Sequence, residues 1–373
     1  MEKTNFISFN KAKNMISIIY AYRNRDLARV KASLDSLALQ TNTNFEVRFV
    51  DYGSELNIAN EMKELVLSYS FAQYFYVNTA KMLWNKSKAL NFGIKMASNE
   101  YIFIADVDII FSPDTVNFLI KNAKPTFVHL FRLNYLSKEE SQKLYQSFAI
   151  NDLKVKHSGN VNGLVLASKS AFYKVHGFDE FFHFYGSEDV DLYERFKNAG
   201  FEIIQHEETL FYHNWHPIYN SYDDSKMSLT PRIFNIKRIN QQHYFFHQKN
   251  KSIVPNKQNQ WGETLDENVI SKLHNPDLVF TLNNVHAEII HFFEVDLCTF
   301  QNKVVKIEIN KVSFEFLWKN RLKKWMGKSY IPVLSMKESN DIILSKIVYQ
   351  YRHHYYSYVI DPSFKKLTFI IKL

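Results

Sequence analysis

Cysteine is nearly absent: Cys298 stands alone in 373 residues, so no disulfide can form within the chain. That excludes a disulfide-stapled scaffold and fits a reducing compartment. Glycine is scarce as well, with nine residues, and seven of the nine lie at or before Gly200. No stretch reaches the roughly 18 apolar residues that cross a membrane, and the opening MEKTNFISFNKAKN lacks the apolar run of a signal peptide. These absences lead us to expect a cytoplasmic protein, soluble or held peripherally on the inner face of the cytoplasmic membrane. Internal repeats and low-complexity tracts are missing too, and no nucleic-acid-binding motif is recognisable, so nucleic acid is not expected as a partner.

What is present is a foldable, aromatic-rich chain. Hydrophobic residues make up 46% and aromatics 16%, which suits a packed core. The length allows two domains, or one large domain with an appendage. The net charge of +8 is unevenly placed: residues 1–222 carry 24 Lys/Arg against 24 Asp/Glu, while 223–373 carry 22 against 14. Whatever the basic excess implies about partners therefore concerns the C-terminal part.

Short apolar runs at 15–20 (MISIIY), 46–51 (EVRFVD), 74–77 (YFYV) and 101–106 (YIFIAD) alternate with stretches of helical spacing. In DLARVKASLDSLALQ the spacing predicts one face of Leu27, Val30, Leu34, Leu37 and Ala38. Strands alternating with helices argue for an α/β fold with a mainly parallel sheet flanked by helices. We expect a catalytic domain over 1–222, a helical segment and linker over 223–262, and a smaller basic mixed α/β unit over 263–373, with VVKIEI and LTFIIKL as strands. In parallel sheets ligands bind beyond the carboxyl ends of the strands. Asp51, Asp106 and Asp108 all fall at such ends.

The stretch IFIADVDIIF sharpens the question, because a buried carboxylate needs compensation. A bare D-x-D reads as readily as two solvated turn aspartates. Here, though, Tyr22-Arg23-Asn24-Arg25 follows the first strand, Asp51 the second, and NKSKALNFG, with Lys88, opens the helix before DVD. Arginine and lysine suit diphosphate oxygens, and a divalent cation on Asp108 would compensate its charge. His213 and His216 of HNWH could add imidazole to a manganese-type site. Glu188 and Asp189 of GSED open a predicted helix, where acids commonly serve as caps. One of them could instead accept a proton from an attacking hydroxyl, with Phe182, Phe184 and Tyr185 offering a sugar a flat surface.

From about residue 15 to 220 these pieces, in this order, resemble the inverting glycosyltransferases of the GT-A fold. The nearest likeness is to the β-1,4-galactosyltransferases and to the N-acetylgalactosaminyl-transferring half of bacterial chondroitin polymerases. YRNR stands where that family has an R-N-R turn, WNKSKALNFGI matches N-[RK]-[AS]-K-x-L-N-x-G, and IADVDIIF matches the metal-binding strand. NGLVLASKSAFYKVHGFDEFF and YGSEDVDLYERF match the segments that follow, with Tyr185 in place of the family's tryptophan. The resemblance implies a Rossmann-like GT-A domain with Mn2+ or Mg2+ as cofactor. It implies a UDP-sugar donor, with GalNAc or Gal favoured, and a glycan or lipid-linked glycan acceptor in bacterial capsule or lipopolysaccharide synthesis. Arg23, Arg25, Asp51, Lys88 and Asp106 would then bind the donor, and Asp108 the metal. Asp189 would be the base, with Glu188 holding hydroxyls and Asp191 structural. The galactosyltransferase pattern points to His216 and the polymerase pattern to His213, so both stay candidate ligands. A catalytically silent sugar-nucleotide or glycan-binding module and a retaining glycosyltransferase are the alternatives.

The C-terminal part is outside the resemblance. Its FEFLWKNRLKKWM segment has helical apolar spacing with Lys319, Lys323 and Lys324 off that face. It reads either as a core-facing helix with a basic solvated side or, over 314–328, as a peripheral contact with anionic membrane.

Overall fold

The computed structural model describes residues 15–147, 149–160, 162–217, 223–257, 261–263 and 267–373. The opening segment 1–14 and the start of the break expected near Tyr222 lie outside the described residues.

The chain runs β1 (Ile16–Tyr22), α1 (Leu27–Ala38), β2 (Phe45–Tyr52), α2 (Leu56–Leu67), β3 (Ala72–Val77), α3 (Lys86–Met96), β4 (Tyr101–Ala105) and β5 (Ile109–Phe111). There follow α4 (Thr115–Asn122), β6 (Phe127–Phe131), β7 (Leu133–Leu136), α5 (Lys138–Ser147), β8 (Val155–Gly159), β9 (Val165–Ser168) and α6 (Lys169–Lys174). Next come α7 (Glu188–Asn198), β10 (Glu202–His206), β11 (Phe211–His213), α8 (Ile236–Asn250), α9 (Glu267–Lys272), β12 (Leu278–Asn283) and α10 (His286–His291). The last elements are β13 (Val304–Asn310), α11 (Phe314–Trp325), α12 (Met336–Lys346), β14 (Tyr356–Ile360) and β15 (Lys366–Lys372).

A seven-stranded sheet in the order β10-β6-β9-β4-β1-β2-β3 forms the frame. It is parallel except for β9, which runs against both β4 and β6. Strand β1 shows why it is buried on both sides: Ile16, Ile18, Tyr20 and Tyr22 join one apolar cluster, while Ile19 and Ala21 join the other. Alternate side chains point to opposite faces, and helices cover both. The expected fold class is therefore the one found.

Two local expectations are corrected. Leu27 is 40% exposed and Ala38 is exposed, so only the middle of α1 (Val30, Leu34, Leu37) meets the core. The stretch IFIADVDIIF is two strands, not one. It breaks at Asp106, whose carbonyl accepts a turn hydrogen bond from Ile109 N at 3.2 Å. Strand β4 stays in the large sheet, while β5 enters a second sheet ordered β5-β11-β7-β8.

Strands β12-β13-β15-β14 make a third sheet whose core includes Phe293, Ile307, Ile343 and Phe369. That core also takes in Met82, Leu83 and Phe181 from earlier in the chain. Tyr358 N donates to Lys81 O (2.8 Å), and Leu83 N donates to the Tyr356 hydroxyl (3.1 Å). Within the stretch expected to be a linker, Asn256 and Trp261 are buried, and Gly262 N donates to Glu180 Oε1 at 2.8 Å. Among the described residues no helix is long and apolar enough to cross a membrane.

Candidate active site

The break after β4 sets Asp108 at the junction of two sheets. Strand β11 pairs antiparallel with β5, His213 lying opposite Ile109, and Asn214 N donates to Asp108 O at 3.0 Å. Main-chain register thus brings the HNWH segment to the acid. His216 Nε2 stands 3.0 Å from Asp108 Oδ2, His213 Nε2 3.9 Å from Oδ1, and Arg29 Nη1 3.9 Å from Oδ2. Asp108 Oδ1 is buried without a hydrogen-bond partner among the described residues. Buried polar atoms are seldom left so. One carboxylate oxygen and two imidazole nitrogens within 4.8 Å of one another fit a divalent transition ion.

The electrostatics agree. Burial pushes Asp108 up, yet His213, His216 and Arg29 together hold it below the usual carboxylate range. Burial pulls His213 down, against the attraction of Asp108, and so favours the neutral imidazole that ligates metals. Burial also lowers His216, but its hydrogen bond to Asp108 and that carboxylate's charge outweigh it and leave its pKa raised.

Across from this cluster sits a second acidic group. Asn85 caps α3, its side chain accepting from Lys88 N at 2.9 Å, and the first residue of the helix is Lys86. Lys86 Nζ lies 2.5 Å from Asp106 Oδ1 and 4.0 Å from Glu188 Oε1. Burial would lower this ammonium, but Asp106 and Glu188 more than reverse that, and its pKa is raised.

Glu188 and Asp189 open α7 after a strained approach: Phe184 has φ 62°, Gly186 φ 102° and Ser187 φ 73°. Left-handed backbone at an aromatic residue is rare and costs about 1 kcal/mol or more. Glu188 Oε2 accepts from Gly186 N (3.0 Å) and Asp189 Oδ1 from Val190 N (2.8 Å). Burial, then the neighbouring Asp189, lifts the Glu188 pKa. Burial, with Asp106 adding to it, lifts Asp189 against the Val190 amide and Lys86. Tyr135 is influenced by both groups. Its ring is 5.1 Å from that of His213, and after burial the charges of Asp106, Asp189 and Asp108 raise its hydroxyl's pKa. Asp106, two residues before Asp108, is thus tied through Lys86 to Glu188, the neighbour of Asp189.

Other expected residues lie elsewhere. Arg23 donates to the carbonyls of Gly53, Met82, Thr79 and Ala80, and burial lowers its pKa. Arg25 is exposed, and its carbonyl accepts from the Tyr22 hydroxyl at 2.7 Å. Asp51 is fully buried, accepting from Ser54 N (2.8 Å) and the Tyr74 hydroxyl (2.7 Å), and burial raises it. The tight YGS turn behind it needs glycine, because at Gly53 (φ +82°) a Cβ would lie 2.4 Å from Thr79 C. Lys88 points away from Asp106, donating to Arg352 O, with burial lowering its pKa. Phe182 is buried, whereas Tyr185 is 48% exposed beneath Lys237 Nζ, 4.8 Å from its ring. Sequence reasoning missed Lys86, Arg29 and Tyr135. A signal existed for Lys86, since residues two apart on a helix face different ways and only one of Lys86 and Lys88 can meet the DVD turn.

The mainly parallel sheet with flanking helices has the α/β architecture expected of a GT-A fold. Among solved structures, the chain is similar to mannosyltransferase PcManGT from Pyrobaculum calidifontis in complex with GDP-Man and Mn2+. The identity is 16%, the coverage 55% of this chain and 58% of that one, and the TM-score 0.40. It is also similar to GalNAc-T7 with UDP, GalNAc and Mn2+, at 11% identity, 64% and 48% coverage and a TM-score of 0.46. No curated relative matches. Residues 17–182, which hold Lys86, Asp106 and Asp108 and end before Glu188, match the family described as Glycosyl transferase family 2.

Proposed function

We propose that the chain is a metal-dependent, inverting glycosyltransferase. It would move a hexose or N-acetylhexosamine, GalNAc or Gal favoured, from a UDP-sugar to a hydroxyl of a glycan or lipid-linked glycan in bacterial capsule or lipopolysaccharide synthesis. The observation that supports this reading is a pair of differently tuned acidic groups linked through Asp106, Lys86 and Glu188: Asp108 with its orphaned oxygen beside two imidazoles, and the raised pair Glu188 and Asp189. Environments that push carboxylates apart mark acid–base assignments.

Asp108, His213 and His216 would hold the ion, Mn2+ or Mg2+, which when bound would neutralise diphosphate charge. The chain's own groups do the rest. Arg29, beside Asp108, adds positive charge for the diphosphate. Lys86 holds Asp106 and Glu188 in place. Asp189 takes the proton from the acceptor hydroxyl as that oxygen bonds to the anomeric carbon. The bond from that carbon to the diphosphate breaks on the opposite face, and its electron pair leaves with the nucleotide. Arg23 and Asp51 would fix the loops on the donor side and exposed Arg25 would reach the donor from there, while Lys88, held on Arg352 O, would support the helix rather than touch the donor. A screen of UDP-sugars with Mn2+, followed by anomeric NMR of the product, tests the reading. Transfer with inverted configuration supports it, and retained configuration or no turnover with any donor overturns it.

We further propose that α11 rests on anionic membrane. Among its residues none is buried, and Phe314, Trp318 and Trp325 are 82%, 57% and 85% exposed. On a helix Phe314, Trp318, Leu322 and Trp325 form one stripe, and here it faces solvent, with Lys319 and Arg321 along its edges and Lys323 and Lys324 further round the helix. A core-facing helix would hide that stripe. An aromatic face with cations alongside suits a lipid headgroup boundary. Co-sedimentation with vesicles containing anionic lipid, lost in Trp318→Ala/Trp325→Ala, is the expected result; no sedimentation of the unaltered protein ends the idea.

A further inference from the structure

A second convergence of ligand-type side chains shares no residue with the first. Asp179 lies between α6 and α7, and His243 and His247 stand four apart on one face of α8. One ligand atom from each lies within 4.8 Å of the others. Asp179 and His247 side chains are 4% and 8% exposed, and His243 is 22% exposed.

The hydrogen bonds around this cluster fix its chemistry. Asp179 Oδ1 accepts from Phe181 N at 2.9 Å, which turns Oδ2 toward α8. His243 Nε2 is 2.7 Å from that Oδ2, and the His243 ring stacks on Phe181 with centroids 3.7 Å apart. His247 Nδ1 is 2.7 Å from Asp191 Oδ1, and Asp191 Oδ2 accepts from Arg195 Nε, also at 2.7 Å. A carboxylate bound to a guanidinium can only accept, so His247 carries its proton on Nδ1. In the neutral ring Nε2 is then a lone pair. It points at Asp179 Oδ2 from 3.7 Å, too far for a hydrogen bond and acceptor against acceptor.

A cation between them resolves the conflict. Ligands on a tetrahedral ion with bonds of about 2.0–2.1 Å stand roughly 3.3 Å apart, and the separations of 2.7 and 3.7 Å bracket that value. A ligating histidine whose other nitrogen donates to a carboxylate is the usual outer support of such sites, here supplied by Asp191. Two imidazoles favour a zinc-like ion over magnesium or calcium.

We propose that Asp179, His243 and His247, with a water as fourth ligand, form a zinc-type site that clamps α8 onto α7, with Asp191 orienting His247. The clamp reaches the reactive loop: Asn240 of α8 donates to the carbonyls of His183 and Tyr185, both at 3.1 Å, just ahead of Glu188.

The test uses the full chain, stripped with a chelator and dialysed against Zn2+. The unaltered protein should take up two tight equivalents. His216→Ala should keep one, together with a Zn2+-induced rise in Tm; His243→Gln should lose that equivalent, or bind it at least tenfold more weakly, and lose the Tm rise. Zinc content in His243→Gln and His247→Gln equal to the unaltered protein would overturn the site, as would no zinc at all in His216→Ala. If the α8 variants do not fold, Co2+ added to His216→Ala decides: intense visible bands of a four-coordinate ion support the clamp, and the spectrum of the aqueous ion refutes it.

Discussion

Replacing Asp189 by asparagine separates the chemistry of the proposed base from its architecture. The amide keeps an oxygen that can accept from Val190 N, as Asp189 Oδ1 does at 2.8 Å, so the start of α7 should survive. What is lost is the basic carboxylate. General-base action contributes roughly 10²–10⁴-fold, or about 2.7–5.5 kcal/mol of barrier, so turnover should fall by at least about 100-fold. Donor binding should persist, because Asp108, His213 and His216 are untouched. The pH profile is the second reading. Burial raises both Asp189 and Glu188, so the acid limb of kcat/KM should lie above the ordinary carboxylate range and change character in the variant. The sign for stability follows by linkage. A carboxylate whose folded pKa is raised contributes stability below its ordinary pKa and loses it as pH rises through the raised value. Asp189→Asn removes one such group, so the decline of Tm across that window should be shallower. Steady-state transfer assays, calorimetric donor titration and Tm against pH measure the three. Unchanged turnover, or loss of donor binding equal to the loss of rate, would refute the reasoning.

Asp108→Ala should weaken both Mn2+ and donor binding, read by titration in the presence and absence of metal, and leave His213 and His216 without their shared acid. Lys86→Met should lower kcat, since Asp106 and Glu188 lose the cation between them; Lys88→Met should chiefly lower Tm, because its buried ammonium meets Arg352 O instead. A transfer assay beside thermal melts distinguishes the two lysines, and equal catalytic loss in both would contradict their opposed orientations. Asp191→Asn breaks a fully buried pair with Arg195 and should cost about 3–5 kcal/mol in denaturant unfolding.

Much of the large domain was legible because its cues are local. Apolar runs of strand length alternate with helical spacing, acids gather at the first turn of α7, and Asp51 and Asp106 sit at the carboxyl ends of β2 and β4, whereas Asp108 lies beyond the break, at the amino end of β5; the first of these follow from neighbours a few residues away. Leu27 and Ala38 show where that fails, since periodicity gives the apolar face of a helix and not how far the core extends along it.

The sequence by itself determined the element order, the sheet class and the residue types available for chemistry, because propensity and periodicity act within a few turns of chain. Only tertiary structure decided which of them meet. The β5–β11 register brings His213 beside an acid 105 positions earlier, a pairing no local pattern encodes. The phase of α3 against the sheet selects Lys86 over Lys88. The packing of α8 on α7 assembles Asp179, Asp191, His243 and His247, and α11, none of whose residues is buried, presents its aromatic stripe outward. In each case the deciding quantity is the direction of a side chain relative to a core, and that direction exists only once distant segments have packed.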